Sequence, residues 1–308
     1  MITIHRGIYI LTNLLRLVLQ ILYYICESTY YTLFGLQEKS VAGEIVLITG
    51  AAHGIGKELA IQYAHLGATV VCLDVNQQLN EKTANEIKET AKSPVYAYQC
   101  DVSNREQVFE VAKKVKKEIG DVTVLINNAG IMPCHTFLDY KTDQIRRLFD
   151  INILAHIWTL QAFLPSMLEK NHGHIVALSS ISGLVGIPYL VPYSATKYAV
   201  RGLMETLKNE LRISSEGKSL INFTTICPYM VDTGLCKKPK INKLLSNFLP
   251  LNSSKYVATQ IINAQRRNII EISVPSFWIF CLSFARILPE NAQISIRDFI
   301  DSGVEPES

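Results

Sequence analysis

The run Ile45-Val46-Leu47-Ile48, passing into Thr49-Gly50-Ala51-Ala52-His53-Gly54-Ile55-Gly56, limits the fold more than any other stretch of the chain. Its apolar residues predict a buried strand. The glycines at 50, 54 and 56 predict a sharp turn without Cβ atoms, and residues 55–66 a helix that starts on it. Backbone N–H groups bared in such a loop, together with the positive end of a helix, suit a pyrophosphate. Gly67 then leads into Thr69-Val70-Val71-Cys72-Leu73-Asp74, a second apolar strand that ends on a carboxylate. An acid about 20 residues beyond the glycines accepts hydrogen bonds from ribose hydroxyls and repels a 2′-phosphate. Gly50, His53, Gly54, Ile55, Gly56 and Asp74 are thus expected to hold a dinucleotide, NAD in preference to NADP. No arginine follows Asp74, and His53 stands where a basic clamp for the phosphate would sit. A plain tight turn and a solvated strand end are the alternatives, and the strands on both sides weigh against them.

The chain has 308 residues, 48% of them hydrophobic and 19% charged, enough for a large core in one α/β domain with an appendage. Its formal net charge of +3 is too small to imply a polyanion, so no nucleic acid partner is expected. The seven cysteines form no CxxC pair, and Cys72 and Cys227 lie inside apolar runs. They read as small core residues of a protein in a reducing compartment.

Residues 7–26 are apolar except for Thr12, Asn13, Arg16 and Gln20, and a helix of that length spans about 30 Å, the thickness of a hydrocarbon core. Arg16 falls mid-run, where a buried guanidinium costs about 2.5–3.5 kcal/mol. A helix or hairpin lying in one leaflet, with Arg16 reaching the headgroups, is therefore the second mode of attachment. A cleaved signal fits less well, because Glu27, Tyr30, Tyr31 and Phe34 follow in place of small residues. Residues 1–36 are read as a membrane anchor, 37–300 as the folded domain, and 301–308 as a disordered tail.

Helix and strand alternate downstream. Leu79, Thr83, Ile87 and Ala91 mark a helix over 76–91, and 95–100 is strand-like. Asp101-Val102 places a carboxylate where it can bond an adenine amino group, with an N-cap-like turn before a helix over 104–119 as the alternative. The strand at 122–126 runs into Asn127-Asn128-Ala129-Gly130, where amides can hold backbone in place and small residues leave room for a flat ring. A long helical pattern from about 142 to 169 carries Asn152 in apolar surroundings, where an amide must find partners. From the residues alone it reads as a satisfied core asparagine. His172 and His174, before a fifth strand, lack further ligands at metal spacing; they read as turn residues, and no metal is expected.

Tyr193 and Lys197, four apart, share a helical face. A nearby ammonium favours phenolate and lowers the phenol pKa from about 10. Ser180 ends a strand 13 residues earlier at the same sheet edge, so hydroxyl, phenol and amine can converge. A sixth strand at 220–227 precedes Pro228-Tyr229-Met230-Val231-Asp232-Thr233. Periodicity fades over 234–251, which reads as a mobile lid. A helix over 253–267 and a strand over 269–274 close the sheet. The apolar segment 277–284 is too short to span a bilayer and suits core or membrane-surface contact.

Taken together, Thr49-Gly50 with Gly54-Ile55-Gly56, Asp74, Asp101, Asn127 to Gly130, Asn152, Ser180, Tyr193, Lys197 and Pro228 to Thr233 resemble the short-chain dehydrogenase/reductase family over residues 43–274. The resemblance implies an α/β, doubly wound Rossmann fold with a seven-stranded parallel sheet in order 3-2-1-4-5-6-7. Asn104 to Gln107, Ile119 to Val122, Phe163-Leu164-Pro165, His172 to Val176 and Ile287 to Glu290 narrow it to a membrane-associated branch acting on steroids and retinol. It implies catalytic roles for Asn152, Ser180, Tyr193 and Lys197: Tyr193 as acid/base, Lys197 depressing its pKa and holding the nicotinamide ribose, Ser180 orienting the substrate oxygen, and Asn152 holding a relay water. It also implies cofactor contacts from Asp101, Val102, Asn128, Ala129, Gly130, Pro228, Val231 and Thr233. A lipophilic alcohol or ketone is the implied small-molecule partner, and a membrane lipid or lipid-droplet surface the implied support. The endoplasmic reticulum or the droplet is the implied location, with the domain in the cytosol; homodimerisation is left open. Tyr189 to Pro192 and Ser194-Ala195-Thr196 depart from individual relatives, which leaves the substrate-facing rim undetermined. The rival readings are an NADP-dependent reductase of a lipid ketone and a non-catalytic lipid-droplet scaffold.

Overall fold

In the computed structural model of the chain, residues 2–242 and 251–307 are described, and they divide into two compact units, Met1–Lys39 and Ser40–Ser308. The first holds α1 (Ile2–Phe34), one unbroken helix of 33 residues. Its segment His5–Glu27 is long and apolar enough to cross a membrane, with none of its apolar window buried. The run 7–26 is helical throughout, a helix rather than the alternative hairpin.

The second unit is built on seven strands, β1 (Ile45–Thr49), β2 (Thr69–Asp74), β3 (Val95–Gln99), β4 (Val124–Asn127), β5 (Gly173–Leu178), β6 (Ile221–Pro228) and β7 (Glu271–Val274). All pair in parallel, in the expected order 3-2-1-4-5-6-7. The first five helices of this unit are α2 (Gly54–His65), α3 (Gln77–Thr90), α4 (Arg105–Glu118), α5 (Thr142–Phe149) and α6 (Ala155–Lys170). They are followed by α7 (Val191–Ser214), α8 (Ser254–Arg266), α9 (Phe277–Ala285) and α10 (Glu290–Ile300). Alternation along the strands feeds two cores. Val46, Ile48, Val70 and Cys72 pack with Leu59, Tyr63, Ile87 and Ile261 of α2, α3 and α8. Leu47, Val71 and Leu73 pack with Val108, Phe163 and Val200 of α4, α6 and α7 on the other face. Both faces are therefore covered, as a parallel sheet requires.

Two expectations are corrected, and a third, the helical pattern over 142–169, holds with an irregular turn inside it. His174 is a residue of β5, buried at 1% exposure, with Nε2 2.8 Å from Thr224 Oγ1. The helical pattern over 142–169 is two α-helices joined by a π-helical turn at Asp150–Leu154, which carries Asn152. The segment taken as a disordered tail is ordered through residue 307: Gly303–Val304 pairs antiparallel with Pro239–Lys240. The segment expected to be a lid is thus held in a strand pair within its described part, and 243–250 lie outside the described residues. The apolar segment 277–284 lies in α9, with Trp278 buried against Tyr229 and both Phe280 and Phe284 exposed.

Candidate active site

β1 lies between β2 and β4, so the chain turns outward in both directions from it and a crevice opens at the strands' carboxyl ends. The first turn of the chain out of β1 needs its glycines. Gly50 has φ +66°, and a Cβ there would stand 3.0 Å from Ala129 Cα and 3.1 Å from Asn128 Nδ2. A Cβ on Gly56 would overlap the Gly50 carbonyl oxygen, so this glycine packs beneath the loop and does not line the cavity. Gly54, at φ +58°, faces Thr233, whose Cγ2 would lie 3.1 Å from an added Cβ. His53 caps α2 with extended backbone and no side-chain hydrogen bond, so it offers the first-turn amides no acceptor of its own. A close-packed glycine cradle beside helix amides fits a dinucleotide pyrophosphate.

The strand ends fix the remaining walls. Asp74 is 7% exposed; its Oδ2 accepts from Ala52 N at 3.0 Å and its Oδ1 from Asn76 N at 2.9 Å. Asp101 accepts from Ser103 N and Oγ at 3.0 and 2.6 Å, while Asn104 caps α4. Both carboxylates line the cavity, with Val75, Cys100 and Val102 beside them and no lysine or arginine from these two strand ends. Asn128 Nδ2 donates to Thr49 O and Gly50 O at 2.8 and 3.1 Å, and Ala129 and Gly130 continue the wall. Pro228, the last residue of β6, and Val231 and Thr233 beyond it close the same space as His53, Gly54 and Ile55.

At the other end of this cavity of about 340 Å³ stand Ser180, Tyr193 and Lys197. Ser180 Oγ accepts from Ser182 N at 3.1 Å, which leaves its proton for the Tyr193 oxygen that it hydrogen-bonds. Lys197 Nζ donates to Leu178 O at 2.8 Å and lies 5.6 Å from the Tyr193 ring centre. Burial pushes the phenol up to about 12, against the pull of Ser180, and pushes the ammonium down to about 8. The expected lowering of the phenol by Lys197 is therefore not what this geometry gives; desolvation of both groups outweighs it.

Asn152 is fully buried and does not line the cavity. Its Oδ1 accepts from Ile131 N at 2.9 Å, and its Nδ2 donates to Ile131 O at 2.9 Å and to Thr196 Oγ1 at 3.3 Å. The side chain thus clamps the loop after β4 to α7, the satisfied core asparagine of the residue-by-residue reading. One helical turn on, His156 is 2% exposed with both ring nitrogens lacking a protein partner, and burial holds it near 3.

The family profile for short chain dehydrogenases matches residues 44–243. The chain belongs to the short-chain dehydrogenase/reductase family. Over 91% of its length it is 43% identical to short-chain dehydrogenase/reductase family 16C member 6 of Bos taurus, covering 87% of that protein. It is 39% identical to epidermal retinol dehydrogenase 2 of Mus musculus, over 94% of this chain and 92% of that one. It is also 39% identical to human 17-beta-hydroxysteroid dehydrogenase 13, over 92% of each. A solved short chain dehydrogenase/reductase from Burkholderia phymatum, in complex with NAD, has the same fold: TM-score 0.72 at 24% identity, over 88% of this chain and 99% of that one. The chain is thus an NAD(P)-dependent oxidoreductase of the branch that holds retinol and steroid dehydrogenases.

Sequence reasoning missed one wall of the cavity. Met132, Ile151, Leu190, Leu235 and Cys236 line it, together with Ser302, Gly303 and Val304. None carries a motif, and only the folded chain brings residue 304 to Tyr193.

Lys197 gives a pH prediction. Its folded pKa of about 8 lies below the ordinary 10.5, so the unfolded chain binds more protons between those values and stability rises with pH across that window. The burden of the buried ammonium is complete below about pH 8. Lys197→Met keeps the stem and removes the charge. Its stability relative to the unmutated chain is expected to improve by about 2–3 kcal/mol on going from pH 10 to pH 7, while the lost bond to Leu178 shifts both pH values alike. Denaturant titrations at the two pH values check this, and a relative stability that does not change with pH overturns it.

Proposed function

We propose that the chain is a membrane-attached, NAD-dependent dehydrogenase of a lipophilic alcohol of the retinol or steroid class, with Tyr193 as acid/base. The observation that carries this reading is the convergence of Ser180, Tyr193 and Lys197 on one cavity that is otherwise lined mostly by apolar side chains. The glycine loop, Asp74 and Asp101 would hold the adenosine and pyrophosphate, and Asn128 to Gly130 with Pro228, Val231 and Thr233 the nicotinamide half. When bound, the dinucleotide would supply the hydride acceptor.

The residues of the chain do the rest. Ser180 and Tyr193 orient the substrate oxygen by hydrogen bonds, and Tyr193 takes its proton as the carbinol carbon gives up hydride. Lys197 would hold the ribose and place its positive charge 5.6 Å from the phenol ring as the phenolate forms; Asn152, through its clamp on Ile131 and Thr196, keeps α7 and the loop after β4 in register. Run in reduction, the protonated phenol donates to the carbonyl oxygen. NAD is favoured because the Asp74 carboxylate, fixed by two backbone amides, would face a 2′-phosphate with no compensating cation from the ends of β2 and β3. Attachment to the endoplasmic reticulum or a lipid droplet is supported by α1. A cytosolic domain is supported by the free cysteines, of which Cys72, Cys100, Cys134 and Cys227 are buried.

Tyr193→Phe is expected to reduce turnover of retinol or a steroid alcohol by about 10²–10⁴-fold while NAD binding stays within a few-fold. Turnover near the unmutated rate rejects Tyr193 as the acid/base. For the cofactor, Kd for NAD is expected to be about tenfold or more below that for NADP, and Asp74→Ser to narrow the gap by about 1.4 kcal/mol or more. Equal constants in the unmutated protein refute the preference. Protease added outside intact microsomes should digest the domain, whereas complete protection argues against a cytosolic face.

A further inference from the structure

Residues 302–307 join two loops that flank the cavity. Gly303 pairs with Lys240 and Val304 with Pro239, in the loop after β6. Glu305 N donates to Lys238 O at 3.0 Å, continuing the ladder. On the other side, Glu307 N donates to Cys134 O at 2.8 Å, and Cys134 Sγ to Glu305 O at 3.2 Å, in the loop after β4. Lys237 pairs with Glu307 at 2.7 Å and Lys240 with Asp301, but these ions are largely exposed and contribute little. Main-chain hydrogen bonds and the burial of Val304 hold the arm. Val304 is 8% exposed and packs in one cluster with Cys134, Leu148, Leu190 and Tyr193.

The arm faces the reacting end of the cavity. Ser302, Gly303 and Val304 line the same space as Ser180 and Tyr193, and the nearest atom to an added Gly303 Cβ is Ile187 Cγ2, 3.9 Å away. The glycine loop, Asp74 and Asp101 follow β1, β2 and β3, strands from which no apolar residue joins the Val304 cluster. We infer that residues 302–304 form a wall of the substrate site and that Val304 is a specificity-determining residue, its isopropyl group limiting the girth of the alcohol that reaches the Tyr193 hydroxyl. This rests on the alcohol-dehydrogenase reading above. One or two methylene-sized groups in an apolar pocket change discrimination by about 10–200-fold. A tryptophan at 304 fills space that a bulky substrate needs and leaves the nucleotide end untouched; an alanine opens it.

The test uses the full chain in detergent, with retinol as the bulky alcohol, butan-2-ol as the small one, and NAD titrated separately. For Val304→Trp, KM for retinol should rise about tenfold or more, while KM for butan-2-ol and Kd for NAD stay within about threefold. Val304→Ala should move the ratio of the two KM values the opposite way, and it serves as the test if the tryptophan variant fails to bind NAD. A KM ratio unchanged in both variants, or retinol and butan-2-ol weakened in parallel, overturns the wall. If the unmutated chain binds NAD yet oxidises neither alcohol, the functional reading fails by itself. Retinol binding by its own fluorescence then decides the wall: binding weakened about tenfold by Val304→Trp supports it, and binding unchanged overturns it.

Discussion

The joint between β1 and β4 is the interaction on which the rest of the molecule depends. Thr49 Oγ1 accepts from Asn128 N at 2.9 Å and Ala129 N at 3.0 Å, and Asn128 Nδ2 returns bonds to Thr49 O and Gly50 O. Two strand ends nearly 80 residues apart in sequence are locked by side chains that satisfy each other's backbone. The lock holds the glycine turn open on one side and the polar 127–130 turn on the other, at the point where the sheet order reverses. Without it the parallel pairing of β1 with β4 would still bury the core, but the crevice would have no fixed floor.

Much of this was legible because parallel strands buried on both faces read as near-continuous apolar runs, as β1, β2 and β4 do; β3, β6 and β7 mix polar residues into theirs and were marked by their place in the helix-strand alternation. Gly50, Gly54, Asp74, Asp101 and the Ser180, Tyr193, Lys197 group were legible because their chemistry demands particular residue types at a sheet edge. What failed to show was set by tertiary placement. His174 sits next to a glycine and reads as a turn, yet its imidazole is used up inside the sheet by Thr224. The π-turn at Asn152 has no residue pattern distinct from an α-helix. Residues 302–304 are small, polar or β-branched in a charged setting, which resembles a solvated tail until Lys238 and Cys134 supply hydrogen-bond partners from far away in sequence.

Burial sets the electrostatic character of the site. A low-dielectric cavity strengthens every oriented dipole within it, yet the same dryness drives Tyr193 and Lys197 toward their neutral forms, from opposite directions. His156, also neutral and beside Lys197, adds no opposing charge. The group is therefore poised to respond to whatever charge arrives in the crevice, because among the described residues no carboxylate pairs with Lys197.

The long reach of the arm has a consequence for how the domain assembles. The central pairing of the crevice, β1 with β4, joins residues 46 and 124, while Pro228, Val231 and Thr233 close it from beyond residue 220. The arm's bond from Cys134 to Glu305 closes a span of 171 residues. Loop closure grows costlier with span, and contacts distant along the chain slow folding. Closing the arm therefore costs somewhat more chain entropy than closing the β1–β4 pairing, by about 0.6 kcal/mol per doubling of span, and the burial of Val304 and the main-chain bonds of the arm offset it.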